Sequence, residues 1–330
     1  MTRIVARAPC RVDFAGGTLD IWPLGLLHRG SRTVNVAVDL FQQVTLTVAD
    51  RDAVVSGGHI VEFETRQAFC DDPHFGLLGK TLEFAEAPAL AVSIESPVPP
   101  GSGLGGSSAL TVAVLAAALT WRGAPRPEAA RLARWARDLE ARHMGLPTGL
   151  QDHYPALLGG ALDIRHEVGG EVVRPLTIAL EDLGEHLLVA HTGRSHVSAA
   201  QNWRVIRARL EGGLLEEFEE IRAAGAAAAV ALAASDFVGL ARASSADWAA
   251  RARFGEGVAT PGIERALAAA VTAGAWGGKA CGAGGGGCVA VLAPRDRRDA
   301  VEQALGRAGA AVVRCAPTAV GLSVVESPSS

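Results

Sequence analysis

The spacing of hydrophobic and polar positions changes along the chain. Thr33–Asp39, Gln43–Val48 and Ala89–Glu95 are short runs rich in β-branched residues and are predicted as strands. Ala109–Trp121 is apolar on every side, the pattern of a buried helix. Leu132, Trp135, Ala136 and Leu139 recur at helical spacing and predict an amphipathic helix with one apolar face. Beyond Leu157–Ile164 the chain turns polar and a second series begins: a strand at Leu187–Ala190, several helices, a strand over Lys279–Leu292, a helix near Asp299–Ala308, then strands at Ala311–Cys315 and Val320–Val325. Strands interleaved with helices in both halves predict an α+β fold of two layered domains, 1–175 and 176–330.

Composition narrows the class. A chain of 330 residues, 49% hydrophobic and 20% charged, buries the core of one large or two ordinary domains and is no disordered tail. With 31 basic against 35 acidic side chains the net charge is −4, so no basic field is available for nucleic acid. Charges interrupt Met1–Arg11 where a signal peptide needs an apolar core, and no apolar run reaches the roughly 18 residues of a spanning helix. A soluble, unprocessed chain with no membrane partner is expected. The cysteines, Cys10, Cys70, Cys281, Cys288 and Cys315, are odd in number and form no C-x-x-C pair, which excludes a disulfide framework and points to a reducing, cytoplasmic setting.

Three glycine-rich segments carry the candidate chemistry. In Pro97–Ala109, glycines between a strand and an apolar helix let the backbone approach a ligand, and the helix N-terminus adds unpaired N–H groups that suit phosphate. Ser107 and Ser108 stand where a hydroxyl can bind phosphate or a metal ion; the alternative is a serine-capped helix after a flexible turn. Gly101, Gly103 and Gly106 satisfy G-x-G-x-x-G, yet prolines separate them from the strand and no acidic residue follows before Glu128, which disfavours a dinucleotide site. Gly79-Lys80-Thr81 ends like a P-loop but has His74 where the first glycine belongs. In Lys279–Cys288 the glycines cannot pack as a core strand, so the backbone bends or lies against a ligand or another backbone; Lys279 itself is expected at the surface. In Arg7–Asp20, paired glycines break a strand amid Arg11, Asp13, Thr18 and Asp20, polar groups suited to sugar hydroxyls or simply to a solvated turn.

In this order the three segments resemble the GHMP kinase superfamily. Arg7-Ala-Pro…Phe14-Ala-Gly-Gly-Thr, Pro99-Pro-Gly-Ser-Gly-Leu-Gly and Gly282-Ala-Gly-Gly-Gly-Gly look most like its heptose-phosphate and fucose kinase branch. The resemblance implies a two-domain GHMP kinase fold with the ATP site in the cleft between domains. It implies ATP-dependent, Mg²⁺-dependent phosphorylation of the anomeric hydroxyl of a monosaccharide or monosaccharide phosphate by a monomer or homodimer. Pro100, Gly101, Ser102, Gly103, Leu104, Gly105, Gly106, Ser107 and Ser108 are then the ATP-binding loop, joined by Gly284 and Gly285. Gly-Leu-Gly-Gly-Ser-Ser replaces the family's Gly-Leu-Gly-Ser-Ser, so both Ser107 and Ser108 are candidate metal ligands with Glu140. Asp152, at the family's spacing from Glu140, is the expected base for the attacking hydroxyl, with Arg11 beside the γ-phosphate or the sugar. The alternative readings are a solvated helix residue for Glu140 and a turn former for Asp152. Asp20 falls on the sugar-binding aspartate, Gly17 and Thr18 replace the glutamate and histidine of galactokinases, and Gln151 and Arg194 complete the acceptor site. Two alternatives stay open: a GHMP kinase for a non-sugar alcohol or acid, and a non-catalytic sugar or nucleotide sensor.

Overall fold

The computed structural model describes residues 2–193 and 199–328. Its strands are β1 (Thr2–Ala15), β2 (Arg32–Val48), β3 (Ala53–Ser56), β4 (His59–Glu62), β5 (Leu90–Glu95), β6 (Ala161–Glu167), β7 (Gly170–Leu176), β8 (Leu187–His191), β9 (Gly277–Ala280), β10 (Cys288–Leu292), β11 (Ala311–Val313) and β12 (Ser323–Pro328). Eight form one sheet, ordered β12-β1-β2-β5-β3-β4 with β6 on β2 and β7 on β6; the other four form a second, β11-β8-β10-β9. The expected strands at 33–39 and 43–48 are one continuous β2, because β1 pairs along almost its whole length and merely shifts register, first between Pro9 and Cys10 and again between Asp13 and Ala15. The run expected as a strand over 279–292 is instead two antiparallel strands, β9 and β10, with the glycines forming the connection.

The boundary expected near 175 falls at the end of β7, but the chain does not stay in the second half thereafter. β12 returns to the first sheet and pairs antiparallel with β1, from Thr2 opposite Pro328 to Arg7 opposite Ser323. A first strand otherwise left as a sheet edge thereby gains a second neighbour.

The apolar helix runs over Gly106–Trp121, and its side chains are buried on all sides. It packs with the amphipathic helix Ala129–Met144 and with β1, β2 and β5 in one core containing Ile4, Ala6, Ala8, Val112, Leu115, Leu132 and Leu139. Past the first register shift, Cys10, Val12 and Phe14 enter a different core, shared with the helices Leu215–Ala233 and Phe237–Ala252 and with the second sheet. Arg11 and Asp13 therefore sit on the stretch of β1 where the two halves of the molecule meet. Gly79, Lys80 and Thr81 lie inside the helix Gly76–Phe84, and Lys80 donates to the Cys70 carbonyl, so this P-loop look-alike is an ordinary helical turn. Among the described residues no helix is long and apolar enough to cross a membrane.

Candidate active site

The phosphate-type loop ends at Gly105, whose φ of 72° caps the helix Gly106–Trp121 with no side-chain cap. Neither serine caps the helix, so the first-turn N–H groups of Gly106, Ser107 and Ser108 have no intrahelical acceptor. The first helical bond is from Ala109 N–H to the Gly105 carbonyl. Unpaired donors at the positive end of a helix dipole make an anion site. Ser107 is exposed and Ser108 buried. Pro100 and Gly101 are exposed at the loop's start, whereas Leu104 is a core residue and Ser102 accepts a bond from Cys288 N–H at 2.8 Å.

Arg11 joins this loop to the base candidate. Its backbone N–H donates to the Leu104 carbonyl at 2.9 Å, and its Nη1 donates to the Gly103 carbonyl. Its Nε and Nη2 both reach Oδ1 of Asp152, at 2.8 and 2.6 Å. The second Asp152 oxygen, Oδ2, takes no part in this pair, and the side chain remains 25% exposed while Arg11 is only 2% exposed. Burial pushes the Asp152 carboxyl above its ordinary value; Arg11 opposes the rise and the nearby Asp20 charge adds to it. Arg11 thus spends its guanidinium on Asp152 and the loop, and the geometry makes it a holder of both.

Acceptor-side residues gather beside this pair. Asp20 accepts the Gln151 N–H through Oδ2 at 3.0 Å, and Asn35 Nδ2 donates to the Gln151 carbonyl at 2.9 Å. Asp20 Oδ1, Gln151 Oε1 and Asn35 Oδ1 are buried and lack a hydrogen-bond partner. Three such acceptors match a ligand that brings hydroxyl donors. Gly149 has no room for a side chain, since a Cβ there would lie 1.7 Å from Asp20 Oδ2. Gly17 and Thr18 are present at this turn, but their polar groups already face Arg251: Nη2 donates to the Gly17 carbonyl at 2.8 Å and Nη1 to Thr18 Oγ1 at 2.7 Å. The Thr18 hydroxyl keeps its own proton for a further acceptor. Arg194 lies outside the described residues.

Glu140 sits in the helix Ala129–Met144 and is buried, not a solvated helix residue. Its Oε2 lies 3.4 Å from His153 Nε2, and its Oε1 is buried without a partner. Burial works against a charge on His153, yet the Glu140 carboxylate outweighs it and raises the imidazole pKa. Tyr154 is a core residue whose hydroxyl donates to Glu171.

The second glycine loop packs against the first. A Cβ on Gly103 would stand 2.6 Å from the Cys281 carbonyl oxygen, and one on Gly287 2.7 Å from that of Ser102. The close approach that glycine permits here is between two backbones. Gly285 spends its N–H on the Val258 carbonyl at 2.7 Å, and a Cβ on Gly284 would stand 2.9 Å from that same carbonyl oxygen, so both lie against Val258. Lys279 is not at the surface: it is 1% exposed, with Nζ 2.5 Å from Asp13 Oδ2 and 2.9 Å from Asp247 Oδ2. Burial disfavours charge on Asp13, but Lys279 and Arg11 outweigh it and hold the carboxyl well below the usual range. Asp247 and Arg251, which no local motif marks, complete the group.

The GHMP kinases N terminal domain matches residues 74–160 and the GHMP kinases C terminal model matches 228–311. The chain is 28% identical over 303 residues to a D-glycero-alpha-D-manno-heptose 7-phosphate kinase of Campylobacter jejuni, spanning 87% of this chain and 88% of that one. A galactokinase of Mycobacterium tuberculosis is 32% identical over 258 residues, covering 67% of this chain and 69% of the relative. The crystal structure of a D-glycero-D-manno-heptose 1-phosphate kinase from Bacteroides thetaiotaomicron superposes with a TM-score of 0.79 at 20% identity, over 99% of this chain and 100% of the other. Two family models in the expected order, a relative matched along most of its length and a shared fold leave one assignment: the chain belongs to the GHMP kinases.

Proposed function

We propose that this chain is an ATP-dependent sugar kinase that phosphorylates the anomeric hydroxyl of a monosaccharide or monosaccharide phosphate. The observation that carries the reading is the pairing of Asp152 with Arg11 directly beneath the glycine loop. One residue, Arg11, grips both the Gly103 and Leu104 carbonyls and the carboxylate that receives the acceptor's proton. A phosphate held on the N–H groups of Gly106, Ser107 and Ser108 is thereby set against an acceptor oxygen at Asp152, and positioning of this kind supplies much of the catalysis in phosphoryl transfer. Asp152 Oδ2 accepts a hydrogen bond from the attacking hydroxyl and takes its proton as the bond to phosphorus forms. The raised carboxyl pKa suits a group that must take up a proton, and anomeric hydroxyls are more acidic than ordinary alcohols, so no strong base is required.

The donors present fit Mg²⁺. Glu140 Oε1 is buried without a partner, and the Ser107 and Ser108 hydroxyls start the helix packed beside the one that bears Glu140. Oxygen donors of this kind suit a hard divalent ion. Glu140 with Ser107 or Ser108 would hold it; when bound, the ion neutralises phosphate charge. Asp20, Gln151 and Asn35 offer their unpaired oxygens to sugar hydroxyls.

A sensor on the same fold needs neither a paired base nor a buried metal carboxylate, and a non-sugar substrate would favour an apolar acceptor pocket over this polar one. The named relatives act on heptose phosphate and galactose, which supports a sugar acceptor. The experiment is ATP consumption measured over a panel of free and phosphorylated monosaccharides. Turnover that requires both a sugar and Mg²⁺ is expected; sugar-independent hydrolysis, or full activity in chelator, contradicts the reading.

A further inference from the structure

A row of buried charges runs away from the acceptor oxygen into the second half of the chain. Arg11 Nη1 lies 3.4 Å from Asp13 Oδ1, and Asp13 Oδ2 meets Lys279 Nζ at 2.5 Å. Lys279 Nζ meets Asp247 Oδ2 at 2.9 Å, and Asp247 Oδ2 lies 3.6 Å from Arg251 Nε. Arg251 ends the row on the Gly17 carbonyl and the Thr18 hydroxyl. Every member is at most 2% exposed. Cations and carboxylates alternate, and with Asp152 the charges of the row balance.

Backbone contacts show what the row holds. Asp13 Oδ1 accepts the N–H of Gly282 at 2.9 Å, at the start of the second glycine loop, and Asp247 Oδ1 accepts the N–H of Gly16 at 2.7 Å, in the acceptor-side turn. The turn needs fixing, because Thr18 is a β-branched residue with φ of 73°. Replacing a buried ion row by apolar side chains often costs nothing in stability, so stability alone does not account for it.

We propose that Asp13, Lys279, Asp247 and Arg251 are positioning residues that set the acceptor-side turn Gly16–Thr18 in register with the two glycine loops. The proposal rests on the sugar-kinase reading for the identity of the acceptor, but its geometry does not. Arg251 fixes the turn from the helix Phe237–Ala252, Asp247 fixes its entry at Gly16, and Lys279 with Asp13 ties both to Gly282. Gly282 in turn lies against Gly103 of the phosphate loop.

The test is Arg251→Lys, which keeps a cation beside Asp247 but cannot span the Gly17 carbonyl and the Thr18 hydroxyl with one planar fork. The KM for the acceptor sugar is expected to rise roughly tenfold, the worth of about one charge-assisted hydrogen bond. The kcat stays within about threefold of wild type, as for loss of ground-state and transition-state binding alike. Affinity for a non-hydrolysable ATP analogue with Mg²⁺ is expected to be unchanged. Hydrogen exchange at Phe14–Asp20 speeds up while exchange at Gly101–Ser108 does not. A merely structural role would lower the melting temperature without separating KM from kcat. Acceptor KM and analogue Kd rising together, or unchanged exchange at Phe14–Asp20, overturns the proposal. If Arg251→Lys does not fold, Asp247→Asn, which retains an acceptor for Gly16 N–H, is read by the same exchange with the same two outcomes. Exchange requires no acceptor, so a protein that phosphorylates no monosaccharide refutes the sugar reading and leaves the positioning claim to be decided by exchange.

Discussion

The two sides of the proposed site are built by different means. The proposed nucleotide side is a backbone device: Gly105 turns the chain, the helix Gly106–Trp121 offers unpaired N–H groups, and everything lies within a few consecutive residues. The proposed acceptor side is a side-chain device assembled from distant segments, with Asp20, Asn35, Gln151 and Asp152 gathered together and Lys279, Asp247 and Arg251 behind the turn. Backbone donors recognise a phosphate common to every kinase substrate pair, while convergent side chains can select one acceptor. Damage on the nucleotide side should therefore abolish binding, and damage on the acceptor side should split rate from affinity.

Gly105→Val attacks the point where the two sides touch and carries the largest expected effect. Its backbone φ of 72° resists a β-branched side chain, and a Cβ would already stand 3.3 Å from Arg11 Cγ and 3.4 Å from Asp152 Cβ. Nucleotide binding measured by calorimetry is expected to vanish in a variant that circular dichroism shows folded. Unchanged affinity would place the phosphates elsewhere.

Asp152→Asn confines the damage to the acceptor side. The rate should fall by roughly two to four decades, the range for lost positioned proton transfer, with little change in ATP affinity. A loss below tenfold would reduce Asp152 to an orienting group. The same residue sets the acid limb of the pH–rate profile. Its carboxyl is raised by burial, so activity should fall, as pH drops, at a higher pH than the about 3.9 of an ordinary aspartate. A limb at the ordinary value would show that the free Asp152 carboxylate does not govern turnover.

Glu140→Gln is expected to act least on the ground state of either substrate. It would remove one anionic ligand from the proposed metal site and leave the phosphate loop untouched, so the Mg²⁺ concentration giving half-maximal activity should rise about tenfold. Superimposable magnesium titrations would show that the unpaired Oε1 serves no metal.

The contrast between the two sides also decides what the sequence makes legible. Pro97–Ala109 announces itself because glycine conformations, helix start and hydroxyls are all local. The apolar helix and the amphipathic one are read for the same reason, their periods being properties of short windows. Lys279 reads as a surface lysine by default, and its partner Asp13 is 266 residues away. Gly17 and Arg251 are separated by 234 positions, and neither the Phe237–Ala252 helix pattern nor the turn hints at the other. The glycines of 282–287 were legible as a close approach, but sequence does not say whether ligand or backbone fills the space; here the first loop does. β12 was predicted as a strand, yet its return to β1 depends on pairing across the whole chain.

The central claim is that the acceptor oxygen at Asp152 is an anomeric one. Its most direct test is NMR of the product formed from ATP and the best sugar of the panel. Coupling of the new phosphorus to the anomeric proton is expected, because the unpaired Asp20, Gln151 and Asn35 oxygens would hold the remaining hydroxyls beside a modest base. A new phosphate coupled instead to the protons of a primary hydroxyl would contradict the account: the GHMP fold and the anion site at Gly106–Ser108 would stand, and Asp20 would lose its assigned sugar contact.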